Sequence, residues 1–110
     1  MKITIEAMNA AIDSNEAAKI EAAAKLATDT TMNAVTVVSS LIAKRNGKIE
    51  AYAYCLRCLE NDMTVAEIER EMLYSALRSD DTWSGRGNDL KRDWADAYRE
   101  AIEDMFRYNR

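Results

Sequence analysis

Cys55-Leu56-Arg57-Cys58 is the one pair of cysteines in the chain. Its C-x-x-C spacing suits thiol–disulfide exchange or half the ligand set of a structural zinc. Exchange needs a thiolate, which a helix N-terminus stabilises. This pair instead follows Tyr52-Ala53-Tyr54 in the middle of a helical run. Zinc would need two more ligands, and the chain has no His and no further Cys, so only a dimer sharing four Cys could complete the set. Both thiols are therefore expected to be ordinary packed groups.

The absence of His removes every triad that depends on it, along with the usual general base at neutral pH. Carboxylate chemistry survives, with Mg²⁺ held by acids from facing helices. Glu67 and Glu71 with Glu100, Glu103 and Asp104 are the candidates for such a metal-dependent hydrolase. That site needs inward-facing acids, and most of these fall off the apolar stripes. No catalytic residue, metal ligand or cofactor is assigned on this reading, and the expected role is non-enzymatic. Gly85-Arg86-Gly87 lacks the Gly spacing and the Lys-Ser/Thr of a phosphate loop. Trp83 and Arg86 instead carry the residue types enriched at interface hot spots, which makes 83–86 a candidate contact loop.

Two charged sets remain. Asp89, Asp93, Asp96, Glu100 and Glu103 recur so that, at about 100° per residue, they share an arc of about 80° on one helix. They would form a ladder rising roughly 20 Å. Such a row is either a solvated face braced by pairs such as Arg99 with Glu103, or an anionic strip that occupies a basic groove on a partner. The second set is Lys44, Arg45, Lys48 and Arg57, opposed within 44–57 only by Glu50. It could contact phosphate, giving the alternative of a small helical DNA-binding regulator. Residues 49–78 resemble a helix-turn-helix in outline, but the second helix is acidic where base edges would have to be read.

These residues must be positioned by helices. The chain has no Pro and three Gly, so long helices with short connections are expected. Ile5, Met8, Ile12, Ile20, Ala23, Ala24 and Ala27 keep helical spacing. Asp13-Ser14-Asn15-Glu16 carries a capping-box signature that divides this stretch into two helices, the second from about 15 to 28. Residues 30–54 are read as two helices broken at Asn46-Gly47, with a β-hairpin as the alternative because Asn-Gly is a strong turn signal. Ile49, Tyr52, Ala53, Leu56 and Leu59 favour the helical choice. Thr64 with Glu67 opens another helix that ends near Ser79, before a loop over 80–87. Asn88 or Asp89 caps the last helix, whose apolar stripe is Leu90, Trp94, Ala97, Tyr98, Ala101, Ile102 and Met105.

The fold class expected is therefore all-α: one domain over 1–110, a compact bundle of five or six helices with a long amphipathic C-terminal helix. A length of 110 residues suffices to bury a core without staples. No apolar run approaches the ~18 residues of a membrane span, and the start, Met1 to Glu6, lacks the apolar stretch of a secretory signal. With two Cys, a cytoplasmic location is expected. A net charge of −4 argues against nucleic acid or an anionic membrane as the direct ligand. The function expected is protein–protein interaction, with Asp89, Asp93, Asp96, Glu100, Glu103, Trp83 and Arg86 as contacts and a homodimer as the expected assembly. Small cofactor-free chains of this kind are common among phage and mobile-element accessory proteins, anti-CRISPR inhibitors of nucleic-acid-handling complexes among them.

Overall fold

The structure is a computed structural model that describes residues 1–83 and 89–107, with backbone alone for 77–83 and 89. Among the described residues it is all-helical and contains no strand. Four α-helices follow in order: α1 (Ile5–Ala24), α2 (Met32–Glu60), α3 (Val65–Trp83) and α4 (Asp89–Arg107), with a single 3₁₀ turn at Lys25–Ala27 after α1. The expected count of five or six is thus too high, because two predicted breaks do not occur.

The first is at Asp13–Glu16. Thr4 caps α1 instead, its hydroxyl accepting from the Ala7 amide at 3.1 Å. Met8, Asn15 and Ala22, spaced by seven, are the buried positions of α1 and face α2. A cap at 13–16 would take Asn15 out of that seam. There its Nδ2 donates to the Ala11 carbonyl at 2.8 Å, and its Oδ1 accepts from Arg45 at 3.2 Å. Tertiary contact overrides the local capping signal.

The second is at Asn46-Gly47, where neither the helix break nor the hairpin occurs. α2 runs through as one 29-residue helix. Thr31 caps its start, accepting from the Ala34 amide, and Asp29 accepts from the Thr31 amide. Gly47 is buried where α4 crosses: a Cβ there would overlap the Trp94 carbonyl oxygen. The residue that reads as a turn is needed for close helix approach.

α2 ends in a Schellman motif. The Met63 amide donates back to the Cys58 carbonyl at 3.2 Å and that of Asp62 to Leu59 at 3.1 Å, with Asp62 in the left-handed region at φ 59°. Thr64 and Glu67 then cap α3 reciprocally, as the spacing predicts. The Thr64 amide donates to the Glu67 carboxylate at 3.0 Å, and the Glu67 amide to the Thr64 hydroxyl at 3.2 Å. α3 reaches Trp83, past the predicted end near Ser79.

α2 is the central member, in contact with every other helix; α4 also packs on α3. Ser40 of α2 lies beside Asp93 of α4, and Gly47 beside Trp94 and Tyr98. The two helices therefore run in the same direction. The core joins Met8 of α1, Ala51, Tyr52, Cys55 and Cys58 of α2, Ile68, Met72 and Ala76 of α3, and Tyr98, Ala101, Ile102, Met105 and Phe106 of α4. The α4 stripe is thus largely as expected. Phe106 is an unexpected addition, while Leu90 is half exposed. Ile20 and Met32, near the turn joining α1 to α2, are 72% and 79% exposed, so that end of the apolar pattern is not core. No helix among the described residues is long and apolar enough to cross a membrane.

Candidate functional site

α2 and α4 leave an open groove of about 450 Å³ along one side of their contact. Leu41 and Ala97 supply its apolar part. Lys44, Arg45 and Lys48 form the α2 wall; Asp93, Asp96 and Glu100 form the α4 wall. The two charged sets that looked independent in the sequence therefore face each other.

The groove is anchored at three points. The Ser40 hydroxyl donates to Asp93 Oδ2 at 2.7 Å across the helix pair, holding the first carboxylate of the row. Arg99 pairs with Asp96 at 2.9 Å along α4. Arg45 is turned toward α1 by its bond to Asn15. Among the described residues no ion pair within 4.0 Å crosses from one wall to the other. Lys44 and Lys48 thus oppose Asp96 and Glu100 without closing on them. Tyr52, in the core beneath, has a phenol pKa raised by burial and further by the charges of Asp104 and Glu100.

Not every predicted site residue joins this arrangement. Glu103 is exposed but borders a separate hollow with Leu73, Phe106 and Arg107. Arg57 follows Lys48 by nine residues, about half a turn around α2 from it. Its guanidinium lies over the Tyr54 ring at 5.6 Å, so the proposed phosphate patch is not one surface. Arg86 and the side chains of Trp83 and Asp89 lie outside the described residues. Ser40 and Asn15 are the site residues that sequence reasoning missed. The signal for Ser40 was its spacing, since Ser40, Lys44 and Lys48 repeat every four residues on one side of α2.

The remaining reactive groups have structural surroundings. Cys55 and Cys58 are buried, free thiols. Burial, with the neighbouring Cys58, pushes the Cys55 pKa up to about 11, and burial also raises that of Cys58. Raised pKa values oppose the thiolate that exchange requires. Glu67 is held in its cap, where the Thr64 amide and hydroxyl keep its pKa below the ordinary value. Among the described residues no three His, Cys, Asp or Glu side chains converge to hold a metal ion. A smaller apolar cleft lies between Ala43 and Asn46 of α2 and Leu90, Lys91 and Trp94 of α4, with the Trp94 ring stacked on Tyr98 at 5.1 Å.

Comparison with known protein families, with curated proteins and with solved structures finds nothing that matches this chain.

Proposed function

We propose that this chain is a non-enzymatic protein-interaction module that uses the outward carboxylates of α4 to hold a basic surface of its partner. The observation that carries this reading is the open groove, whose α4 wall aligns Asp93, Asp96 and Glu100 without any ion pair to the lysines opposite. Ser40 and Arg99 hold Asp93 and Asp96 in place, and the row as a whole still presents negative charge to a second molecule. The basic α2 wall adds a condition: the partner must present cations to α4 while tolerating Lys44 and Lys48 beside them. An inhibitor that covers part of a nucleic-acid-handling complex, as phage anti-CRISPR proteins do, is a role this surface would suit.

Direct DNA binding is a weaker reading on physical grounds. A phosphate approaching Lys44 or Lys48 also approaches three carboxylates in the same groove. The test is affinity co-purification from nuclease-treated extract, comparing the parent chain with Asp96→Lys/Glu100→Lys after matched melting curves. Asp93 is left intact because Ser40 bonds it. A stoichiometric protein held by the parent and lost by the variant supports the proposal. Equal retention by the variant, or recovery of nucleic acid in place of protein, overturns it.

A further inference from the structure

We infer that the α2–α4 groove is self-complementary and is closed by the same groove of a second copy. This rests on the reading above that the outward face of α4 is an interaction surface, and it names a partner for that face.

The argument begins with the parallel course of the two helices. The Ser40 side chain reaches Asp93, and further along Gly47 lies against the backbone of Trp94 and Tyr98. Lys44 and Lys48 therefore fall along the stretch of α4 that carries Asp93, Asp96 and Glu100, and line one groove with them. The charges thus form two rows of opposite sign, side by side. A two-fold axis lying along the groove exchanges left for right while preserving position along the helices. It therefore sets the α4 row of each copy over the α2 row of the other, so that the lysines meet the carboxylates of the second chain. An axis across the groove would set like charge on like and is disfavoured.

The apolar content of the face supports the same arrangement. Val37, Leu41, Lys44 and Lys48 repeat at intervals of four, three and four, one stripe of α2. Val37 is exposed and Leu41 half-buried within a single chain. Closure over a second copy would cover both and would remove the charged rows from water only where each has an opposite charge to meet. Solvated ion pairs alone contribute little, so the covering of Val37 and Leu41 has to accompany them. Arg45 contributes potential to the basic wall, but its bond to Asn15 keeps it directed at α1.

The test is sedimentation equilibrium of the full chain and two charge-reversed variants. Lys44→Glu/Lys48→Glu makes the groove predominantly acidic, with Arg45 its remaining cation, and Asp96→Lys/Glu100→Lys makes it predominantly basic. The parent should be a dimer at low salt, its apparent dissociation constant rising at least about tenfold by ~0.5 M salt. Each variant alone should be monomeric with an unaltered helical spectrum. An equimolar mixture of the two should restore a dimer containing one of each. A parent that stays monomeric at low salt, or variants that fail to associate with one another, would overturn the inference. Self-association and capture of a different protein are read separately, so a monomeric chain whose capture depends on Asp96 and Glu100 would leave the functional proposal standing. A dimer with no such capture would do the reverse.

Discussion

Gly47 of α2 and Trp94 of α4 meet backbone to backbone. A methyl group at position 47 would overlap the Trp94 carbonyl oxygen and stand 3.1 Å from the Tyr98 amide nitrogen. Neither neighbour is a side chain that could rotate away. In an isolated helix, replacing Gly by Ala is worth about 1 kcal/mol. Here the overlap must push the two best-packed helices apart, and the usual cost of overpacking is about 1–3 kcal/mol. Gly47→Ala is therefore expected to lower the urea midpoint despite its better helix propensity. A variant more stable than the parent would contradict the close crossing.

Asp62 supplies the opposite case. It adopts φ 59° with a Cβ to accommodate, at the point where glycine ordinarily ends a Schellman motif. Left-handed backbone costs most L-residues about 1–2 kcal/mol, and less for Asp. Asp62→Gly should relieve that cost while losing part of the gain to greater freedom of the unfolded chain. The expected result is a net stabilisation of a few tenths to about 1 kcal/mol. A fall in thermal midpoint would place the turn in another conformation.

Alkaline pH should destabilise the fold through its buried thiol and phenols. The pKa of Cys55 is pushed up to about 11 from 9.0, and those of Tyr52 and Tyr98 are also raised by burial. Because the folded values lie above the unfolded ones, the fold prefers the protonated groups. For Cys55 that contribution is complete below pH 9.0 and is lost as pH rises toward about 11. Urea midpoints measured across this window should decline, and Cys55→Ala should decline less steeply despite its lower starting stability. An identical slope would exclude the thiol as a contributor. Below pH 9, both cysteines should react with a thiol reagent no faster than the protein unfolds.

Much of the helical content was legible because it rests on spacing. The α4 stripe and the Thr64–Glu67 box are local signals, and tertiary contact agrees with them. The two false breaks share a different origin. Asn15 and Gly47 are residues that local rules assign to caps and turns, yet each is needed where another helix approaches. The apolar residues at the α1–α2 turn illustrate the converse, since Ile20 and Met32 keep helical spacing but have no neighbouring helix in the described structure to bury them. For the site, the α4 carboxylates were visible as a row, and the α2 lysines as a patch. Their apposition depends on α2 and α4 lying side by side, which neither segment's own pattern encodes.

The pairing of Ser40 with Asp93 joins residues separated by 53 positions. α1 and α2, by contrast, meet across a short turn, with Asn15 and Arg45 only 30 positions apart. A nascent chain can therefore form the first hairpin while Gly47, Ala51 and Cys55 still await the helix that will cover them. That surface stays open until α3 has been laid down and α4 has followed. During synthesis the central helix is thus a built element with an uncovered apolar side, the condition in which a chain depends most on chaperones and is most exposed to misassociation. Loss of α4 by truncation would make that transient state permanent, leaving α2 without its largest partner rather than producing a shorter version of the same protein.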